Sequence, residues 1–190
     1  MNRRSSKETK KRILTAARTV FVEEGYAHAN MRHIARAAGI SVGGLYLYFK
    51  NKEDLYLTLV QDWMKRLNES THDALATIND PMEAIRAFIM ISIDFARRNR
   101  EIIMLEGREL GFHFGIEQKR EFFRERRGLI AEIVRQGMEK GVFRECNSEE
   151  AAKVIFNTLR GFAVSTALDE EALFASDACV DMVLNGLLRR

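Results

Sequence analysis

The stretch NMRHIARAAGISVGGLYLYFKNKEDL, residues 30–55, decides the fold. Asn30 is a good N-cap, and Met31, Ile34, Ala35 and Ala38 behind it share one side of a short helix predicted over 31–38. Gly39 can take the left-handed backbone that ends such a helix and turns the chain. Ser41 caps a second short helix, predicted over 42–49. Asn51 caps the next one, whose first turn carries Glu53 and Asp54 where carboxylates favour the positive end of the helix dipole. Two short helices joined through a glycine turn make a helix-turn-helix, whose second helix enters the major groove of DNA. Leu45 and Phe49, four apart, can face the core, which leaves Val42, Gly43, Tyr46 and Leu47 outward.

Outward from this stretch the pattern stays helical. Ser5 with Glu8 reads as a capping box for a first helix, with Ile13, Ala17, Val20 and Phe21 at helical spacing until Gly25. A fourth helix carries Leu55, Leu59, Trp63, Leu67 and Leu75 and is predicted to reach about residue 78. Asp80, Pro81 and Glu83 mark a strong start for a fifth, over 81–98. Further helices are predicted over 101–112, 117–140, 148–167 and 170–188. One proline and 12 glycines in 190 residues leave few breaks, and 46% hydrophobic with 30% charged residues excludes a disordered chain. The expectation is an all-α protein of about nine helices, with a three-helix head over 1–52 and a larger helical body over 53–190.

Charge is unevenly distributed. Through Leu55 there are 11 bases and 5 acids, a net of +6; the remaining 19 bases and 22 acids leave −3 for the rest, which together make the total of +3. A basic head on an acidic body fits a polyanion bound at one end, and equally a merely solvated basic surface. The basic run Arg3, Arg4, Lys7, Lys10, Lys11 and Arg12 reads either as a phosphate clamp or as a solubilising terminus. No apolar h-region follows it, and the most apolar run, 87–93, stops at Asp94, so no membrane partner is expected. Cys146 and Cys179, far apart and outside any CxxC, read as reduced thiols of a cytoplasmic protein. No nucleophile elbow, HExxH, phosphate-cradling glycine loop or cluster of metal ligands is present. No catalytic residue, metal or cofactor is therefore expected.

The stretch Ile34-Ala35, then Ala38-Gly39-Ile40-Ser41-Val42-Gly43-Gly44-Leu45-Tyr46-Leu47-Tyr48-Phe49-Lys50-Asn51-Lys52-Glu53-Asp54-Leu55, resembles the DNA-binding head of the tetracycline-repressor (TetR) family. The resemblance covers about 13–55; beyond it the body agrees in helix count and length. It implies a sequence-specific regulator, usually a repressor, which leaves its operator when a small ligand binds, with a homodimer built largely from the last two helices. It further implies that Val42, Gly43, Gly44, Tyr46, Leu47, Tyr48 and Lys52 contact double-stranded DNA, with Asn30 and Arg32 near phosphates. Two departures stand out: Ala29 and Asn30 replace a common pair of threonines, and Val42 replaces a frequent lysine. Base readout then leans on the tyrosines, on apolar contact with thymine methyls and on DNA shape.

In the body, Trp63, Phe88, Ile91, Phe95, Met104, Phe112 and Phe123 read either as plain core or as the lining of a cavity for a small hydrophobic effector, with a fatty-acyl compound the first guess. His113, Arg108, Asn157 and Arg160 are candidate polar handles. Lys119, Arg120, Arg124, Arg126 and Arg127, interleaved with glutamates, read as a solvated face. Ile155, Leu159 and Phe162, with Val180, Leu184 and Leu187, are the candidate dimer interface, and a two-fold dimer predicts a palindromic operator. The rival readings are a non-specific architectural DNA binder and a ligand-binding dimer without DNA function.

Overall fold

The computed structural model describes residues 3–108, 115–168 and 174–188. Among the described residues the chain is all-α, with helices α1 Arg3–His28, α2 Met31–Ala37, α3 Val42–Tyr46, α4 Lys52–Leu75, α5 Pro81–Arg98, α6 Arg100–Arg108, α7 Ile116–Glu139, α8 Ser148–Leu168 and α9 Ser176–Leu187. An isolated antiparallel bridge joins Phe143 to Leu188. No helix among the described residues is long and apolar enough to cross a membrane.

Most starts are set by short polar side chains that satisfy the orphan N–H groups of a first turn. Asn30 Oδ1 accepts from the His33 N–H at 3.0 Å, Ser41 Oγ from Gly44 at 3.0 Å, and Asn51 Oδ1 from Asp54 at 2.7 Å. Asp80 Oδ1 accepts from Met82 at 3.2 Å, with Pro81 at the first position of α5. Asn147 serves α8, accepting from Glu149 and Glu150 at 3.0 and 3.1 Å.

Four boundaries differ from the sequence reading. α1 begins at Arg3, so Ser5 lies within its first turn rather than capping it; the Arg, Lys and Glu residues here are good helix formers and carry the helix back through the serine. Its regular geometry breaks at Gly25 (φ 76°), the expected stop. α3 ends at Tyr46, not Phe49, because the chain tightens there: the Leu45 carbonyl accepts from both Tyr48 and Phe49, at 3.0 and 3.1 Å. α4 ends at Leu75, where Ile78 N–H turns back to the Leu75 carbonyl at 3.1 Å. α9 begins at Ser176, since Phe174 and Ala175 are not helical and the Phe174 ring packs on Phe162 with centroids 4.9 Å apart. The predicted helix over 101–112 is seen through Arg108; its remainder lies outside the described residues.

Contacts divide the chain into two compact units, Met1–Trp63 with Met104–Gly115, and Met64–Ile103 with Ile116–Arg190. The first holds the helix-turn-helix around Ile13, Ala17, Phe21, Ile34, Leu45 and Phe49, all buried. It runs past Lys52 because α4 enters its core: Tyr56 is fully buried, edge-on to Phe21 and Tyr26 at 5.5 and 5.1 Å. In the second unit α5 packs against α7, α8 and α9, with Ile85, Phe88, Ile89, Ile130, Val134 and Val180 at the centre. Each such side chain contributes about 1.5–3 kcal/mol through removal from water.

Candidate nucleic-acid interface

In the first unit α2 and α3 pack through small and apolar side chains, and the turn between them passes through Gly39 at φ 64°. Arg12 braces that turn from α1, donating to the Ala38 carbonyl at 2.7 Å and to Gly39 at 3.4 Å. The i, i+4 pair Leu45 and Phe49 faces inward. What α3 leaves to solvent is Val42, Gly43, Tyr46 at 51% exposure and Leu47 at 81%. A Cβ added at Gly43 would meet only open space, so the backbone here can be approached closely. Gly44 and Tyr48 are half-buried, and a Cβ at Gly44 would lie 3.1 Å from the capping Ser41 hydroxyl.

An open groove of about 600 Å³ runs beside this face, lined by Asn30, Arg32, His33, Val42, Tyr46 and Lys50 among others. Arg32 and Lys50 are exposed. Asn30 spends its carbonyl on the α2 cap. His33 Nδ1 meets the Glu24 carboxylate at 2.9 Å, which ties α2 to α1. Lys50 and His33 were not among the expected contact residues, because neither belongs to an apolar stripe; their shared groove appears only once the chain is folded.

Lys52 lines the same groove and directs its ammonium to the protein's own backbone. Its ammonium donates to the carbonyls of Tyr26, Ala27 and Ala29 at 2.6, 3.2 and 2.9 Å and lies 4.4 Å from the Tyr26 ring centroid. An ammonium has three donors, so these carbonyls, just past the break of α1 at Gly25, occupy it. The basic run is also partly spent inward: Arg12 braces the turn and Lys10 lies over the Phe49 ring at 5.5 Å, while Lys7 and Lys11 are exposed.

In the second unit Phe88 is fully buried core, Ile91, Phe95 and Phe123 are half-buried, and Asn157 and Arg160 are exposed. The structure brings Phe123 and Arg160 together, the guanidinium 5.2 Å from the ring. Trp63 and Met104, in the first unit, are half-buried. Phe112 and His113 lie outside the described residues, as does the side chain of Arg108. The six residues expected at the dimer interface, Ile155, Leu159, Phe162, Val180, Leu184 and Leu187, are all buried within the unit and hold α8 and α9 against its own core. The apolar side chains these helices leave outside are Val154, Val164, Leu168 and Met182.

The solvated face predicted for α7 is corrected at two positions, for Lys119 and Arg126 are buried. Arg126 donates to Thr71 Oγ1 at 3.2 Å and to Ser92 Oγ at 2.6 Å, and its guanidinium lies 4.4 Å from the Phe88 ring and 5.8 Å from Phe122. Burial pushes its pKa down to about 10, which leaves it charged at neutral pH.

Residues 13–59 match the tetR family of bacterial regulatory proteins. The transcriptional activator FasR of Mycolicibacterium smegmatis is 35% identical over 100 residues, 53% of this chain, and the match spans only 46% of its own length. The fatty acid degradation regulator FadR of Bacillus halodurans superposes with a TM-score of 0.76 at 26% identity, over 94% of each chain. FadR of Bacillus subtilis, solved with stearoyl-CoA, also gives 0.76, at 23% identity over 92% of this chain and 95% of that one. The family match thus covers the helix-turn-helix head, and over nearly the whole chain the likeness to FadR of Bacillus halodurans is one of helical fold.

Proposed function

We propose that this chain is a homodimeric transcriptional repressor that binds a palindromic operator in double-stranded DNA and is released by a small hydrophobic effector of the fatty-acyl class. The observation that carries the DNA reading is the outward face of α3. Val42 and Leu47 flank the exposed Tyr46 on the second helix of a helix-turn-helix, so an apolar and aromatic edge stands where the motif meets the major groove. Tyr46 reads a base edge, Val42 and Leu47 meet thymine methyls, and Gly43 and Gly44 let the backbone come close. Asn30, Arg32 and Lys50 border the groove on the phosphate side, and Tyr48 adds contact at the rim. Lys52 acts from within, holding the end of α1 in place. In this reading 1–52 is the DNA-binding domain and 53–190 the ligand-binding and dimerisation domain.

The dimer forms on the outer face of α8 and α9. Val154, Gly161 and Leu168 recur every seven residues, one face of a helix, and Met182 stands out from α9. Gly161 and Gly186 leave open space for close helix approach. The fatty-acyl assignment draws on the half-buried Ile91, Phe95 and Phe123 and on the two FadR proteins, one a regulator of fatty acid degradation and the other solved with stearoyl-CoA. α4 contributes residues to both units and is the continuous element through which an effector shifts operator affinity. A coupling of about 1–3 kcal/mol changes that affinity about 5- to 150-fold.

Selection of bound duplexes from a random pool, at low and high salt, tests the reading. One palindromic motif surviving high salt is expected, and Tyr46→Ala loses that motif while remaining dimeric. Binding without any motif, steeply salt-dependent, would point to the architectural reading instead.

A further inference from the structure

Arg126 is 4% exposed, and among the described residues it pairs with no carboxylate. Its two hydrogen-bond partners are neutral hydroxyls already oriented by the backbone. Thr71 donates its proton to the Leu67 carbonyl at 2.7 Å and Ser92 donates to Phe88 at 2.7 Å, so each turns a lone pair to the guanidinium. These bonds use two of the five N–H donors of an arginine. The phenyl faces of Phe88 and Phe122 add weak attraction and exclude water. A buried cation is costly unless an opposite charge accompanies it, yet here four neighbours from α4, α5 and α7 position it without neutralising it. The same ring cluster continues to Phe123, 5.6 Å from Phe122, and to Phe156, 5.4 Å further, where Arg127 lies over the ring.

We infer that Arg126 is the anchor for the carboxylate head of an amphipathic ligand, held as a bidentate pair while the acyl chain lies among the apolar side chains of the second unit. The inference rests on the ligand-responsive reading above and names the head group that reading leaves open. One guanidinium in apolar surroundings balances one negative charge, and its planar fork matches two carboxylate oxygens. A phosphate carrying close to two charges would leave one of them buried and unmatched.

Calorimetric titration of the full-length protein with dodecanoate, dodecanol, methyl dodecanoate and dodecyl phosphate tests this. The wild type binds dodecanoate about 10- to 100-fold more tightly than dodecanol, the range expected for a charged hydrogen-bonded pair. Arg126→Met keeps its helix content and its affinity for dodecanol and loses the preference for the acid; Arg126→Lys retains part of it. Equal affinity of the wild type for acid and alcohol overturns the inference, as does an acid preference surviving in folded Arg126→Met, or dodecyl phosphate binding more tightly than dodecanoate. If none of the four binds while the operator is still bound, the inference and the acyl-effector part of the reading fall together. If the acid preference holds but no operator is found, the DNA reading falls and the inference stands.

Discussion

Lys52 shows how one side chain changes meaning once its surroundings are known. By position in the motif it is a cation beside DNA; in the structure its three donors bind the carbonyls of Tyr26, Ala27 and Ala29, just past the break of α1 at Gly25. Lys52→Met should lower stability by about 1–3 kcal/mol, the scale for hydrogen bonds to a charged group, measured by urea unfolding. The slope of operator affinity against salt should hardly change, whereas loss of a phosphate contact would reduce it by about 0.9. Arg126 went the other way. Lys119, Phe122, Arg126, Ile130, Ile133 and Gly137 recur at helical spacing, and all six are buried. That period was legible, but alternating Glu and Arg made the run look like a solvated face. Sequence shows a charge and its spacing; whether water can reach it depends on what packs over it from α4 and α5.

At the level of elements, the helix starts that carry a side-chain cap were the most readable feature, because the capped N–H lies two or three residues away, whereas α9, which has no side-chain cap, was misplaced. Asn30, Ser41, Asn51 and Asp80 all cap as their neighbours predict. The ends were less readable, since α3 and α4 stop where the chain tightens into turns closed by local backbone bonds, Tyr48 to Leu45 and Ile78 to Leu75. The exit from α7 is built more tightly. Gly141, at φ 68°, returns its N–H to the Met138 carbonyl at 2.9 Å, and Val142 and Phe143 both bond the Gly137 carbonyl. The buried Phe143 ring then lies directly on Gly137, where a Cβ would overlap it. Gly137→Ala should therefore destabilise the protein by about 1–3 kcal/mol, as overpacking does, despite the better helix propensity of alanine. A thermal melt showing an unchanged or higher midpoint would mean the ring moves aside freely.

For the molecule as a whole, the outer face of α8 and α9 carries the prediction. Leu168 is 80% exposed and Met182 79%, and Met182 lines a cavity of about 400 Å³ together with Val154, Thr158, Ala178 and Gly186. A partner helix that covers this face removes each large side chain from water at about 1.5–3 kcal/mol. Met182→Glu and Leu168→Glu should each weaken the homodimer by about tenfold or more, with the helix content of the protomer unchanged, as read by sedimentation equilibrium. Ile155→Ala, by contrast, should destabilise the fold by about 2–5 kcal/mol, because it opens a cavity in the protomer's own core.

On α8 the stripe expected at a dimer interface is the one the protomer's own core covers, and the outer stripe lies one residue out of register: Ile155, Leu159 and Phe162 face the core, while Val154, Gly161 and Leu168 face out. One residue is a rotation of about 100°. A helix apolar on two sides has two equally good stripes, and only the position of α5 and α7 tells which is already covered. By itself the sequence determined the helical class, the caps, the glycine turn and the apolar side of the recognition helix, because each depends on residues within a turn or two of one another. The tertiary structure decided which lysine is spent internally, which arginine is buried among hydroxyls and phenyl rings and which face of the last two helices is left open. Those depend on side chains 20 to 60 positions apart along the chain, as Lys52 from Tyr26 and Arg126 from Thr71, which no local pattern records.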